Sequence, residues 1–144
     1  MAKTLFPTVA IPSLSKPKQD NDVRYKRAPA WDPQAGDFVR DGAGKILTDT
    51  GRDAYVIWCI KTSQTERFAK LAYPSVIGAE LEAAKQEKSQ EAVELALERT
   101  IREALMVNPR TEYVRDFDFR WNGDHVHVTF TVKGKNIEGF QIET

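Results

Sequence analysis

Residues 89–132 decide the fold: Ser89-Gln-Glu-Ala-Val-Glu-Leu-Ala-Leu-Glu-Arg-Thr-Ile-Arg-Glu-Ala-Leu-Met-Val107, then Asn108-Pro109-Arg110, then two alternating runs. Val93, Leu97, Ile101 and Leu105 recur every four residues, with Ala96, Thr100 and Ala104 beside them. That spacing predicts a helix with one apolar stripe. Ser89 is placed to cap its first turn, and Glu91 and Glu94 lie near the positive end of its dipole. Pro109 lacks an amide hydrogen and pushes Asn108 out of the helical region, so the helix should stop near Val107.

Beyond that break the period changes from four to two. Tyr113, Phe117, Phe119 and Trp121 point one way, Arg115 being the exception, and Asp116, Asp118 and Arg120 the other. Val126, Val128, Phe130 and Val132 alternate with His125, His127, Thr129 and Thr131. Both runs predict strands with one buried face, and Asn122-Gly123 between them suits a two-residue hairpin turn. A helix laid across an antiparallel sheet buries both apolar surfaces. The fold class expected is α+β: about three helices packed on a small antiparallel sheet.

The 144 residues suit one domain, expected over 34–144. Lys plus Arg and Asp plus Glu stand at 21 each, and such a balance argues against general nucleic-acid binding. The single cysteine, Cys59, permits no internal disulfide, fits a reducing compartment, and sits in an apolar run as a core residue. No apolar run approaches the ~18 residues of a membrane span and no signal-peptide core is seen, so a soluble, cytoplasmically made protein is expected.

Residues 1–33 read as an extended arm. Five of the seven prolines fall there (Pro7, Pro12, Pro17, Pro29 and Pro33), which precludes a helix. Leu5, Phe6 and Ile11 give the arm an apolar content suited to adhering to another subunit. Phe38-Val39-Arg40 and Lys45-Ile46-Leu47 flank Asp41-Gly42-Ala43-Gly44 as a small hairpin. A helix from Asp53 to about Ser63, with Trp58 in the core, follows. After Thr65-Glu66-Arg67-Phe68 comes an irregular link, then a shorter helical pattern through Val76, Ile77, Ala79, Leu81 and Ala84. Ile137 and Phe140 belong to a third, terminal strand whose edge can accept a strand from another chain.

The chemistry of a catalytic or metal site is thin. His125 and His127 share a strand face beside Asp124 but lack a clear third ligand. Glycoside hydrolysis needs one protonated acid in an apolar pocket and a partner carboxylate ~5–9 Å away. Glu103, Asp116 and Asp118 are the acids near the apolar seam, and each reads as an ordinary surface charge. No Gly-x-Ser-x-Gly elbow is present. Neither an enzyme nor a cofactor is expected. The competing readings are a peptidoglycan-cleaving enzyme and an adaptor or nucleic-acid module using Arg24-Tyr-Lys-Arg27.

The order of these pieces resembles the small wedge proteins of contractile-tail baseplates, found in phages, phage-like bacteriocins and related injection machines. The residues that carry the resemblance are Gly51-Arg52-Asp53-Ala54 leading into Trp58, Thr65-Glu66-Arg67-Phe68, Tyr73, Gly78-Ala-Glu-Leu81 and Ile101-Arg-Glu-Ala-Leu105. Asn108-Pro109-Arg110, Val114-Arg-Asp-Phe117 and Val126-His-Val-Thr-Phe-Thr-Val132 complete it. It is strongest toward the branch of defective-prophage and Gram-positive myophage tails, whose members also carry a proline-interrupted arm. The resemblance implies helices on a small sheet and a structural role: joining other baseplate wedge proteins around the tail tube or hub, in several copies, and initiating the sheath by offering its sheet to the tail sheath protein. It implies assembly in the host cytoplasm and residence in the mature tail. It places Asn108, Pro109, Arg110 and Arg67 at the wedge interface, and the strands bearing Val126, Val128, Phe130, Val132, Ile137 and Phe140 toward the sheath. Arg110 matches the arginine of the family's Glu-Pro-Arg motif, whereas Asn108 stands in place of the glutamate.

Overall fold

A computed structural model describes residues 24–144, so the arm positions Leu5, Phe6 and Ile11 lie outside the described residues. Its centre is the long helix α3, Gln90–Met106. Ser89 takes an extended conformation and its hydroxyl accepts from the Ala92 amide at 3.2 Å, which satisfies one donor the helix cannot satisfy itself. Val93, Leu97, Thr100, Ile101, Ala104 and Leu105 are the buried face. The helix ends at Met106 with Val107 as its C-cap, two residues before Pro109.

Three strands follow or pair beneath it: β5 (Thr111–Asn122), β6 (His125–Gly134) and β7 (Phe140–Glu143), all antiparallel in the order β5-β6-β7. Helix α3 lies against β5. Val128, Phe130 and Val132 from β6, with Val114 and Ile142, meet Leu97, Ile101 and Leu105 in one core. Phe130 is wholly buried and stacks on Phe117 at 5.2 Å between ring centres.

The structure departs from simple alternation in β5. Two register shifts interrupt its pairing with β6, one between Thr111 and Tyr113 and one between Arg115 and Asp118. At the second, Asp116 and Phe117 oppose the single residue Phe130, and Asp116 takes a left-handed backbone with φ of 60°. An extra residue in one strand reverses which side chains face inward. Val114 is therefore buried, while Tyr113 belongs to the outer face with Arg115, whose guanidinium sits 4.1 Å from the tyrosine ring centre. Arg115 is no exception once the bulge is placed; Tyr113 was assigned to the wrong face. The hairpin turn also moves by one residue. Asn122 pairs with His125, so Gly123 and Asp124 form the turn, with φ of 61° at Gly123. A positive φ at only the first central position is the second of the two favoured hairpin turns.

Ahead of this half come four two-residue strands, β1 (Ala28–Pro29), β2 (Trp31–Asp32), β3 (Asp37–Phe38) and β4 (Thr48–Asp49), paired β1 with β4 and β2 with β3. The small hairpin lies between β3 and β4: Arg40 bridges to Ile46, and the Asp41 carboxylate accepts from the Ala43 and Lys45 amides at 2.9 Å each. Strands β1 and β2 lie N-terminal to residue 34, and Ala30 between them is buried. Helix α1 (Gly51–Gln64) packs on α3 and buries Ala54, Tyr55 and Cys59. Trp58 is only half-buried, between core and surface. Helix α2 shrinks to Leu81–Lys85, and Val76, read with it, is exposed.

Candidate assembly surfaces

At the corner between α3 and β5, proline ends the helix and the asparagine side chain takes up the backbone donor that follows. The Asn108 Oδ1 accepts from the Arg110 amide at 3.0 Å and faces an Arg110 Nη1 at 3.4 Å. A neutral amide oxygen thus occupies the place where a carboxylate would form an ion pair. The Arg110 side chain turns inward, 6% exposed, and its Nε donates to the Arg24 carbonyl at 2.6 Å. Its own carbonyl accepts from the Lys135 amide at 2.8 Å, and the Tyr25 hydroxyl donates to the Lys135 carbonyl. The corner therefore clasps the start of the described chain to the β6–β7 turn. Sequence reasoning missed Tyr25 and Lys135, because the bond between them spans 110 residues and leaves no local pattern. Asn108 and Arg110 face a cavity of about 290 Å³ together with Tyr25, Lys26 and Trp58.

Arg67 is held elsewhere. Its Nε donates to the Gly78 carbonyl at 3.0 Å, its amide to the Ala79 carbonyl at 2.9 Å, and its Nη1 lies 3.8 Å from Glu80. Glu66 accepts from the Leu81 and Glu82 amides at 2.9 and 3.1 Å, tying down the start of α2. These bonds pinch together both ends of the link between α1 and α2. Gly78 is required there: its φ is 94°, and a Cβ would fall 2.5 Å from the Thr65 carbonyl oxygen. Beyond the pinch, Phe68, Leu71, Tyr73 and Val76 are all more than half exposed.

Strands β6 and β7 point Val126, Val128, Phe130, Val132 and Phe140 toward the helices, whereas Ile137, expected in the terminal strand, lies in the turn ahead of β7. Val128, Phe130 and Val132 are buried, and the other three pack against that core. What the sheet can present outward is main chain and its opposite face. The two edges differ. Strand β5 is interrupted by two bulges, carries Arg115, Asp116, Asp118 and Arg120, and has its Val114 carbonyl taken by Arg102 Nε at 3.2 Å. Those are features that discourage strand pairing. Strand β7 pairs without a bulge and carries a single charge, Glu143. Val128 and Thr144 exchange both backbone hydrogen bonds, at 2.8 and 2.9 Å. Hydrogen-bonded and non-bonded pairs alternate along an antiparallel ladder. The main-chain groups of Ile142 and Phe140 therefore face β6, and those of Gln141 and Glu143 face away from it.

His125 and His127 are exposed on the outer face. Among the described residues no three His, Cys, Asp or Glu side chains come together. Glu103, Asp116 and Asp118 are exposed; Asp118 pairs with Arg120 at 3.1 Å and Asp116 with Arg115 at 3.4 Å. None of the three borders a described cavity, so the apolar pocket an acid catalyst needs is not where these acids are. In the basic run 24–27, Tyr25 turns inward to meet Tyr55 edge-on at 5.2 Å. No described helix is long and apolar enough to cross a membrane.

Burial pushes the Cys59 thiol up to about 12 from its ordinary 9.0, and raises the Tyr55 hydroxyl through burial and the neighbouring Cys59. Both groups are neutral in the fold and ionise more easily when unfolded. Their contribution is intact below pH 9 and is lost as pH rises toward 12, at about 1.4 kcal/mol per pH unit for Cys59. Urea unfolding midpoints should hold from pH 7 to 9 and fall beyond; Cys59→Ala should flatten the fall.

Comparison with known proteins supplies a family. The family model for the contractile injection system sheath initiator matches residues 27–139. The phage-like element PBSX protein XkdS of Bacillus subtilis (strain 168) is 33% identical over 94 residues, covering 62% of this chain and 67% of the relative. A match that runs through the helical half, the Asn108–Arg110 corner and strands β5 and β6 makes the chain a member of the contractile injection system sheath initiator family.

Proposed function

We propose that this protein works in the baseplate of a contractile tail by strand addition: the open edge of β7 receives an extended segment of the tail sheath protein and so fixes the first sheath ring. The observation that carries the reading is the outward-facing main chain of Gln141 and Glu143, beside a β5 edge that is blocked. Backbone pairing supplies affinity, and alternating side-chain positions set the register. The role is structural. The Asn108-Pro109-Arg110 corner and the link fixed by Arg67 meet other wedge proteins around the tube or hub, and Leu5, Phe6 and Ile11 of the arm reach a neighbouring subunit. Several modest contacts then hold by avidity in a multi-copy ring. Assembly takes place in the bacterial cytoplasm, and the mature protein resides in the tail.

Gln141→Pro tests this directly. Proline is tolerated on an edge strand where its missing amide faces solvent, so the fold should persist with an unchanged circular dichroism spectrum. Tails assembled with the variant should carry tube and baseplate but no sheath in electron micrographs. Full-length sheaths on such tails would defeat the reading.

A further inference from the structure

The open edge of β7 has two charges of opposite sign beside it, one on each face of the sheet. On the inner face the Arg52 guanidinium, from the first turn of α1, lies 5.5 Å from the Phe140 ring centre. Its side chain is 49% exposed, and its ion pair with the neighbouring Asp53 is long, at 3.9 Å. An exposed pair of that kind contributes little. On the outer face stands Glu143, exposed, with Thr129 as its cross-strand neighbour on β6. Among the described residues Glu143 makes no ion pair, whereas Glu112 on β5 is matched by Lys133 at 2.9 Å.

A strand added beside β7 continues both faces of the sheet and meets both charges. Its hydrogen-bonded positions fall opposite Gln141 and Glu143, whose main chain faces outward. Positions opposite Phe140 and Ile142 fall between those bonds, where the side chains of an antiparallel pair approach most closely. Residues directly opposite stand ~4.5–5.5 Å apart at Cβ, close enough for unlike charges to attract and like charges to repel. The residue opposite Phe140 points inward and arrives beside Arg52, which suits a carboxylate and repels an ammonium. The residue opposite Ile142 also points inward; Ile142 is core, so an apolar side chain suits that position. The residue opposite Glu143 points outward and meets a carboxylate, which favours a base. Gln141 offers a neutral amide and sets no charge.

Every pairing in this sheet is antiparallel, the arrangement slightly more stable per residue. On the strand-addition reading, we infer that the segment received by β7 runs antiparallel to it and carries, in order, a base, an apolar residue, any residue and an acid. Arg52 reads the acid and Glu143 the base. The two readers lie on opposite faces, so a segment slipped by one residue presents each charge to the wrong face. Main-chain bonds alone would not distinguish those registers.

Full-length protein enriched in nitrogen-15 is titrated with short capped peptides centred on Lys-Val-Thr-Glu or on the exchanged Glu-Val-Thr-Lys. Amide shifts of Gln141 and Glu143 report occupancy of the edge. The first peptide should bind about tenfold more tightly, because exchange turns two attractive pairs into repulsive ones. The gap should narrow in ~1 M salt. In Arg52→Glu the choice at the last position should reverse, with Lys-Val-Thr-Lys binding more tightly than Lys-Val-Thr-Glu. A glutamate in the first turn of α1 agrees with the helix dipole, so the fold should persist. Equal or tighter binding of the exchanged peptide, with the edge shifts present, would overturn the inference and leave strand addition standing. So would an unchanged preference in Arg52→Glu. Edge shifts with none of the peptides would overturn both.

Discussion

Phe130→Ala is expected to destabilise the protein by ~3–5 kcal/mol, against a total for a domain of this size of ~5–15 kcal/mol. Phe130 has no exposed surface and lies where helix, hairpin and terminal strand converge. Truncation removes the ring's burial and leaves a void beside Phe117, whose stacked partner is gone. The site cannot collapse easily, because Phe130 opposes the two residues of the Asp116 bulge and sits directly across the ladder from Ile142. His127→Ala, two residues further along the outer face from Thr129, should change stability by under ~0.5 kcal/mol. Urea unfolding of the two variants measures the contrast. A Phe130→Ala cost under ~1 kcal/mol would show that the helices do not rest on this strand.

Arg110→Met should cost about 2–3 kcal/mol and release the segment ahead of β1. The methionine keeps much of the side-chain volume but withdraws the donor from the Arg24 carbonyl and from Asn108 Oδ1. Loss of a part-buried hydrogen bond from a charged donor costs ~1.5–3 kcal/mol, while Asn108 Oδ1 keeps the amide of residue 110. Arg110→Lys should restore little, since one ammonium cannot reproduce a planar fork with separate Nε and Nη1 directions. Trypsin provides a second readout: cleavage after Arg24, Lys26 and Arg27 should accelerate in the variant. A parent-like midpoint with unchanged cleavage would mean the clasp contributes nothing. Both effects belong to the isolated molecule. They imply that this buried arginine shapes the corner between α3 and β5 from within.

The sequence carried the helix and the ribbon plainly, because both depend on local spacing. Ser89 caps as its type and position require, and Val93 through Leu105 bury as their period demands. The bulge at Asp116 was not legible: one inserted residue inverts the faces, and an aspartate in a left-handed conformation gives no stronger signal than any polar strand residue. Nor was the place of residues 24–32. Tyr25 is held by Lys135, far along the chain, and Ala30 by Val39 and Leu47, in a stretch whose prolines suggested only an extended arm. Among the candidate interface residues, Asn108 and Arg110 do come together, while Arg67 serves a different loop.

The bond from Tyr25 to Lys135 carries a kinetic consequence. Helix α3, β5 and β6 are consecutive, and short-range contacts of that kind form early, whereas closing a loop of 110 residues is entropically late. During synthesis a nascent chain short of Lys135 has no clasp to make. The order of events therefore leaves the Tyr25 clasp to close after β1 has paired with β4 and the ribbon is complete.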